Sequence, residues 1–355
     1  MPGELELLAQ LVAIPSVSGE EAAVAAFVEE TARGWGLDAV RDETSVRIEV
    51  RGRAPGPTLA LVSHLDVVPP GGGWTRDPFT PSVENDRLYG RGSGDAKASV
   101  AAMISAARDL AESAELAAGR LLVILGYGEE TKNTTMERAV DRAGPIDAAV
   151  VGEPTNLDIA TAQRGLMMVD LVARGDQRHA GYAAEGEFRN AVLVLARDLL
   201  RLDHLFDERA HPVLGRTTAT PTMLDAGVSR NVTPPVATAI LDVRSTPDWS
   251  HDEIGELLRA RLESEVVVTS RRLVPCETPP DSRLLAAANR ARPEAARFGS
   301  PTCSDWVFLR HVDAIKTGPG TSRRSHTPDE YVDLPEVTAA RGFYAGIARE
   351  YLVAE

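Results

Sequence analysis

Leu59-Ala60-Leu61-Val62-Ser63-His64-Leu65-Asp66 runs from an unbroken apolar tetrad straight into a histidine and a carboxylate. A short continuous apolar run predicts a strand buried on both faces, as in a parallel sheet covered by helices. Leu121 to Leu125 and Ala148 to Val151 repeat the pattern. Between and around them, Leu5 to Ile14, Gly19 to Trp35 (with Ser18 as N-cap) and the Ala-rich Ala98 to Ala114 carry helical spacing. Val40 to Val50 alternates like a half-buried strand. Strands alternating with helices predict an α/β/α sandwich with a mixed, largely parallel sheet.

The rhythm then changes. Leu166 to Ala173 reads as a strand, Phe188 to Leu202 as a helix, Thr217 to Leu224 and Val236 to Val243 as strands. His251 to Leu262 follows as a helix and Val266 to Leu273 as a strand. This order is β-α-β-β-α-β, a ferredoxin-like α+β unit. Beyond it Leu284 to Ala291, Ala314 to Thr317 and Leu334 to Tyr351 return to α/β character. We therefore expect one α/β domain in two pieces, 1–163 and 276–355, interrupted by an inserted domain at 164–275.

Composition narrows the function. The 355 residues carry a net charge of −14, from 52 acids against 38 bases. That disfavours nucleic acid or an anionic membrane as partner. No apolar run is long enough to span a bilayer. The acidic N-terminus is unlike a signal peptide. Cys276 and Cys303 are too few for a disulfide framework or a cysteine-built metal site. A cytoplasmic setting is expected, with any metal held by His, Asp and Glu.

Such residues cluster at the ends of the predicted buried strands. The first strand ends in His64-Leu65-Asp66, the second leads to Glu129-Glu130, and the third leads to Glu153. Gly90-Arg91-Gly92-Ser93-Gly94-Asp95 precedes a helix, and Ser325-His326-Thr327-Pro328-Asp329-Glu330 lies near the C-terminus. Sites in α/β sheets form beyond the carboxyl ends of strands. His and carboxylate donors without cysteine suit Zn²⁺, Co²⁺ or Mn²⁺. Two such ions need a bridging carboxylate, and an unligated Glu beside them serves as general base. Taken singly, each element has an ordinary explanation: a hydrogen-bonded His–Asp pair, a solvated Glu-Glu, a Glu-Pro turn. The glycine-rich stretch matches neither a dinucleotide fingerprint nor a phosphate loop. Ser93 lacks the nucleophile-elbow frame. Their order and their placement at strand ends together make a far stronger signal than any one of them.

That ordered set resembles the zinc-dependent amidohydrolases that include acetylornithine deacetylase, succinyl-diaminopimelate desuccinylase, aminoacylase and glutamate carboxypeptidase. The resemblance spans nearly the whole chain. It runs through Ser63 to Pro69, Trp74-x-x-Asp77-Pro78-Phe79, Leu88 to Gly92 with Asp95 and Lys97, Glu129-Glu130, and Ala149 to Thr155. It implies that His64, Asp95 and Glu153 hold one zinc and that Asp95, Glu130 and His326 hold a second, with Asp95 bridging. It implies Glu129 as the catalytic base and Asp66 as the residue orienting His64. A Glu as third ligand, Glu153, favours substrates releasing an amino acid with a free carboxylate. The inserted domain is implied to be a lid and dimerisation domain. There His179 of Gly175-x-x-x-His179 stabilises the oxyanion, often in a partner's site, and Asn231 and Arg244 bind substrate. A homodimer follows. A cis peptide is implied at Asp95–Ala96. Gly128 and Ala96-Lys97-Ala98 depart from the usual pattern without removing a ligand. His204, His211, His251 and His311 fall outside any ligand pattern.

Gln163 to Met168, Gly299 to Asp305 and Gly318-Pro319-Gly320 look most like the arginine-biosynthetic deacylases. The expected reaction is hydrolysis of an N-acyl-L-amino acid, with N-acetyl-L-ornithine the favourite. N-acetylcitrulline, N-succinyl amino acids and a carrier-protein-linked lysine or ornithine remain alternatives, as does a carboxypeptidase or dipeptidase. A metal-free scaffold is the alternative outside the enzymes, and metal content separates it from them.

Overall fold

The computed structural model describes residues 3–131, 133–183 and 188–353. It divides into two compact units: Met1–Thr161 with Thr278–Phe298 and Ser304–Glu355, and Ala162–Glu277 with Gly299–Cys303.

The first unit is built on the strand Ala54–His64, whose last seven residues are all buried. It pairs in parallel with Ala118–Gly126 on one side and Ala148–Val151 on the other. The sheet extends through Asp313–Lys316, parallel to Ala148–Val151, to Ile159–Gln163, which is antiparallel. On the other flank Ser45–Arg51 and Asp38–Arg41 are added antiparallel. The sheet is thus mixed with a parallel centre. Leu59, Leu61, Leu121 and Val123 share one apolar cluster with the helices Glu4–Ala13, Ala22–Gly34, Lys97–Ser113, Arg283–Ala291 and Leu334–Tyr351. Alanines along Lys97–Ser113 let it pack closely against Leu334–Tyr351, and it is buried for most of its length. Side chains alternate across a strand, so Val62 and Ile124 face the other way. Helix Thr135–Ala143 and the 3-10 segment Asp305–Leu309 cover that side. Among the described residues no helix is long and apolar enough to cross a membrane.

Two local expectations change. Val40 to Val50 is not one strand but a hairpin, because Asp42 Oδ1 accepts from the backbone of Thr44 and Ser45 and turns the chain. Ser18 caps no helix. The helix begins at Ala22, and the Ser18 hydroxyl donates to Asp66 at 2.7 Å. The sequence reading also omits the helix Thr135–Ala143. It misses a small sheet in which Arg87–Tyr89 lies between Ser82–Glu84 and Tyr331–Asp333.

The second unit is ferredoxin-like. Gly165–Arg174, Ala191–Arg201, Thr218–Ala226, Val236–Ser245, His251–Arg261 and Glu265–Leu273 follow in the order β-α-β-β-α-β. All neighbouring strands are antiparallel, with Thr218–Ala226 at one edge and Glu265–Leu273 at the other. Met167, Val169 and Leu171 alternate inward from the central strand. Asn190 caps the first helix and a Ser250–Glu253 capping box starts the second.

Candidate metal centre

His64 is the last residue of the central strand, and Gly126, the last of its neighbour, lies opposite it. The two strand ends therefore deliver His64 and, three residues beyond Gly126, Glu129 and Glu130 to the same edge. Glu153 follows the adjacent strand Ala148–Val151. Asp95 precedes the helix Lys97–Ser113, and the Asp95–Ala96 peptide is cis. His326 comes from the turn before Tyr331–Asp333. Two glycines are required by the backbone here. Gly92 has φ +81°, and a Cβ on it would stand 2.5 Å from the Val67 side chain. Gly128 has φ +66°. Its N–H donates to Glu21 at 3.0 Å.

The donor atoms converge. One ligand atom each from His64, Asp95 and Glu130 lie within 4.8 Å of one another. His64 Nε2 is 3.4 Å from Asp95 Oδ1 and 3.9 Å from Glu153 Oε1. His326 Nε2 is 3.6 Å from Asp95 Oδ2 and 3.0 Å from Glu130 Oε2. Asp95 thus turns one oxygen to each histidine, the disposition of a carboxylate that bridges two cations. His64 is 1% exposed at its side chain, yet its Nε2 has no hydrogen-bond partner. A buried ring nitrogen aimed at two carboxylates and bonded to nothing fits a metal ligand. The all-oxygen-and-imidazole donor set fits a pair of divalent ions such as zinc.

Asp66 does more than its sequence position suggests. Its backbone carbonyl lies 3.0 Å from His64 Nδ1, and its carboxylate accepts the backbone N–H groups of Glu129 at 3.0 Å and Glu130 at 3.1 Å. It therefore fixes the ring orientation of His64 and the main chain of both glutamates at once.

Charge at the site is strongly perturbed. Burial opposes a charged His64, but the close approach of the Asp66 and Asp95 carboxylates and the charges of Asp66 and Glu129 override it and raise its pKa well above the usual value. Burial also raises Asp66, yet the His64 contact, Ser18 and the Glu130 N–H outweigh it and hold the group down at about 2. Burial, reinforced by the charges of Glu153, Asp305 and Glu130, pushes Glu129 well above the carboxylate range. Burial and the Asp95 charge push Glu153 up to about 8, although His64 and Lys316 pull the other way. So many buried acids facing so few bases form a site that favours a cation.

The remaining predicted residues belong to the second unit. His179 is exposed, opens the 3-10 turn Ala180–Tyr182, and its Nδ1 accepts from Gly181 N. Asn231 lies beside it, its carbonyl accepting from Ala180 N at 2.8 Å. Arg244 is forked onto Asp242, at 2.7 and 3.0 Å. His251 is a core residue between Ser245 and the Arg271 carbonyl. His204 is exposed and pairs with Asp207.

Sequence reasoning assigned no role to Asp305, Asn133 or Lys97. Asp305 is buried, and burial with the Asp66 charge, partly offset by His64 and Asn133, raises it to about 7. Asn133 Nδ2 reaches Glu129 Oε1 at 3.4 Å. Lys97 is buried with its ammonium donating to the carbonyls of Leu11 and Ile14, both at 2.9 Å. A lysine opening an otherwise alanine-rich helix, as Lys97 does, was the available signal.

An α/β sheet with a ferredoxin-like insertion and a carboxylate–histidine centre at its strand ends defines a metal-dependent hydrolase. Residues 60–350 match the family model described as peptidase family M20/M25/M40, and the chain belongs to that family. It is 34% identical over 282 residues to a probable carboxypeptidase of Aspergillus terreus, covering 70% of this chain and 62% of that protein. It is 30% identical over 377 residues to the succinyl-diaminopimelate desuccinylase of Rhizorhabdus wittichii, covering 98% of each. A dinuclear metal-binding M20 peptidase from Bacillus subtilis superposes with a TM-score of 0.76 at 18% identity, over 98% of this chain and 97% of that one.

Proposed function

We propose that the protein hydrolyses the amide bond of an N-acyl-L-amino acid, releasing the free amino acid and a carboxylic acid. The observation that carries this reading is Asp95 turned to both His64 and His326, with Glu129 protonatable beside them. His64, Asp95 and Glu153 would hold one ion and Asp95, Glu130 and His326 the other, zinc being favoured by the donor set. When bound, the two ions supply a polarised acyl carbonyl and a water acidic enough to ionise near neutral pH. Glu129 would take a proton from the attacking water and pass it to the departing amine. Its raised pKa suits both halves of the task. Asp66 keeps His64 and Glu129 in place throughout. His179, Asn231 and Arg244 are assigned to oxyanion and carboxylate recognition. For Arg244 to bind a substrate carboxylate, it must share or leave its Asp242 partner.

N-acetyl-L-ornithine, and with it arginine biosynthesis, is our favoured substrate on the motifs around Gln163, Gly299 and Gly318. The desuccinylase relatives favour an N-succinyl amino acid as the second reading. A cytoplasmic homodimer is proposed: low cysteine content supports the compartment, and the exposed edge strand Thr218–Ala226 supports pairing. Kinetics of the zinc-loaded protein on N-acetylornithine, N-acetylcitrulline, their N-succinyl analogues and a dipeptide set tests the substrate. The acetyl compounds are expected to give the highest kcat/KM. Cleavage of dipeptides alone would replace the reading with a peptidase.

A further inference from the structure

The buried ion pair Arg91–Glu330 takes no part in the chemistry above, yet it joins the two segments that carry the proposed bridging and terminal ligands. Arg91 stands four residues before Asp95, and Glu330 four residues after His326. Their side chains are 2% and 1% exposed and meet at 2.5 Å. Glu330 uses its other oxygen, Oε1, to accept the backbone N–H groups of Gly94 and Asp95, both at 3.0 Å. Its own carbonyl accepts Gly90 N at 2.9 Å. The register beyond is fixed by the small sheet, where Val332 opposes Leu88 and Tyr331 opposes Tyr89. Arg91 in turn reaches the Pro70 carbonyl at 3.3 Å and stacks over Trp74.

A buried ion pair is weak evidence of stabilisation, since well-packed apolar residues often do as well. What an apolar pair could not do is hold the amide of Asp95. With that amide fixed, the carboxylate is left to face His64 with one oxygen and His326 with the other. The same glutamate ties the His326 turn to the Asp95 loop, so one side chain sets the separation of two ligands.

We propose that Glu330, held by Arg91, is a positioning residue that sets the bridging geometry of Asp95 and so the spacing of the two metal ions. The inference rests on the metal-centre reading above. Glu330→Gln can still accept from the two N–H groups, but its amide nitrogen opposes the Arg91 guanidinium, so the segment must shift. The test is a Zn²⁺ titration of metal-free full-length protein against a chromophoric chelator, with the visible spectrum and magnetic coupling of the Co²⁺-loaded forms recorded alongside.

Wild type is expected to hold two ions, with coupled Co²⁺ spins. Glu330→Gln is expected to bind at least one ion ~10- to 100-fold more weakly and to lose the coupling. The double variant Glu330→Gln with Arg91→Met removes the opposed donors and is expected to recover part of both. Arg91→Lys, which keeps the cation but loses the fork, is expected to shift both readouts the same way and answers for Glu330→Gln should that variant not fold. A variant that is merely less stable would melt earlier with an unchanged Co²⁺ spectrum. Wild type with two sites and variants that match it in affinity and coupling would overturn the inference alone. Wild type that binds no metal would overturn the metal-centre reading and this inference with it.

Discussion

At the scale of residues, the site is a group of acids whose protonation depends on what they face. Without a cation, the raised pKa of His64 and that of Glu153 near 8 leave protons on both at neutral pH. A metal needs both groups deprotonated, so its binding must release protons. Affinity should therefore rise as pH is raised from neutrality through about 8, where Glu153 loses its proton. Calorimetry at pH 7 in buffers of different ionisation enthalpy should show net proton release on zinc binding. A buffer-independent heat would contradict these protonation states. Asp66 shows what the sequence hid: His-x-Asp suggested only an orienter for His64. Its two bonds to the Glu129 and Glu130 main chain join residues more than sixty positions apart, and no local pattern encodes that. Asp66→Asn should cost more than one function, lowering zinc affinity ~10-fold or more and kcat in the zinc-saturated enzyme as well. Unchanged kcat at saturating zinc would restrict Asp66 to His64.

At the scale of elements, the legible parts were those with a strong period or unbroken burial. Ala148–Val151 and Leu334–Tyr351 fall where the apolar pattern puts them. Short elements escaped because three residues of strand carry no period. Arg87–Tyr89 and Tyr331–Asp333 gain their identity only from each other, across more than two hundred residues. The bend at Asp42 escaped because its side-chain acceptor competes with an otherwise continuous alternation. In the ferredoxin-like unit, Asp198 is wholly buried and accepts from Glu263 N, Ser264 N and the Ser264 hydroxyl. It ties the first helix to the turn that opens the last strand. Asp198→Ala should lower stability by about 2–4 kcal/mol, since these three donors and the Arg201 guanidinium lose their acceptor. Denaturant unfolding measures it, and a change below about 0.5 kcal/mol would mean that water replaces the carboxylate.

At the scale of the whole molecule, the strand Thr218–Ala226 is exposed along nearly its full length and carries Met223 and Leu224 at 65% and 62% exposure. An apolar sheet edge left open invites pairing. If a second copy covers it, Leu224→Asp should convert a dimer to monomer in sedimentation equilibrium. A monomeric wild type at assay concentration would remove the dimer from the account. On the proposed reading, the chain's excess of acids is partly the metal centre's own, because Asp95, Glu129, Glu130 and Glu153 gather around His64 where a cation would sit. Order along the chain singled these residues out, whereas their convergence is visible only in the fold.

The central claim is metal-dependent amide hydrolysis with Glu129 moving the proton. Its most direct test is amine release from N-acyl amino acids by zinc-loaded wild type and Glu129→Gln, with metal content measured on the same samples. The account predicts two zinc ions per chain in both and a turnover in the variant lower by ~10²- to 10⁴-fold or more. A Glu129→Gln enzyme that keeps most of its turnover with both ions in place would contradict it.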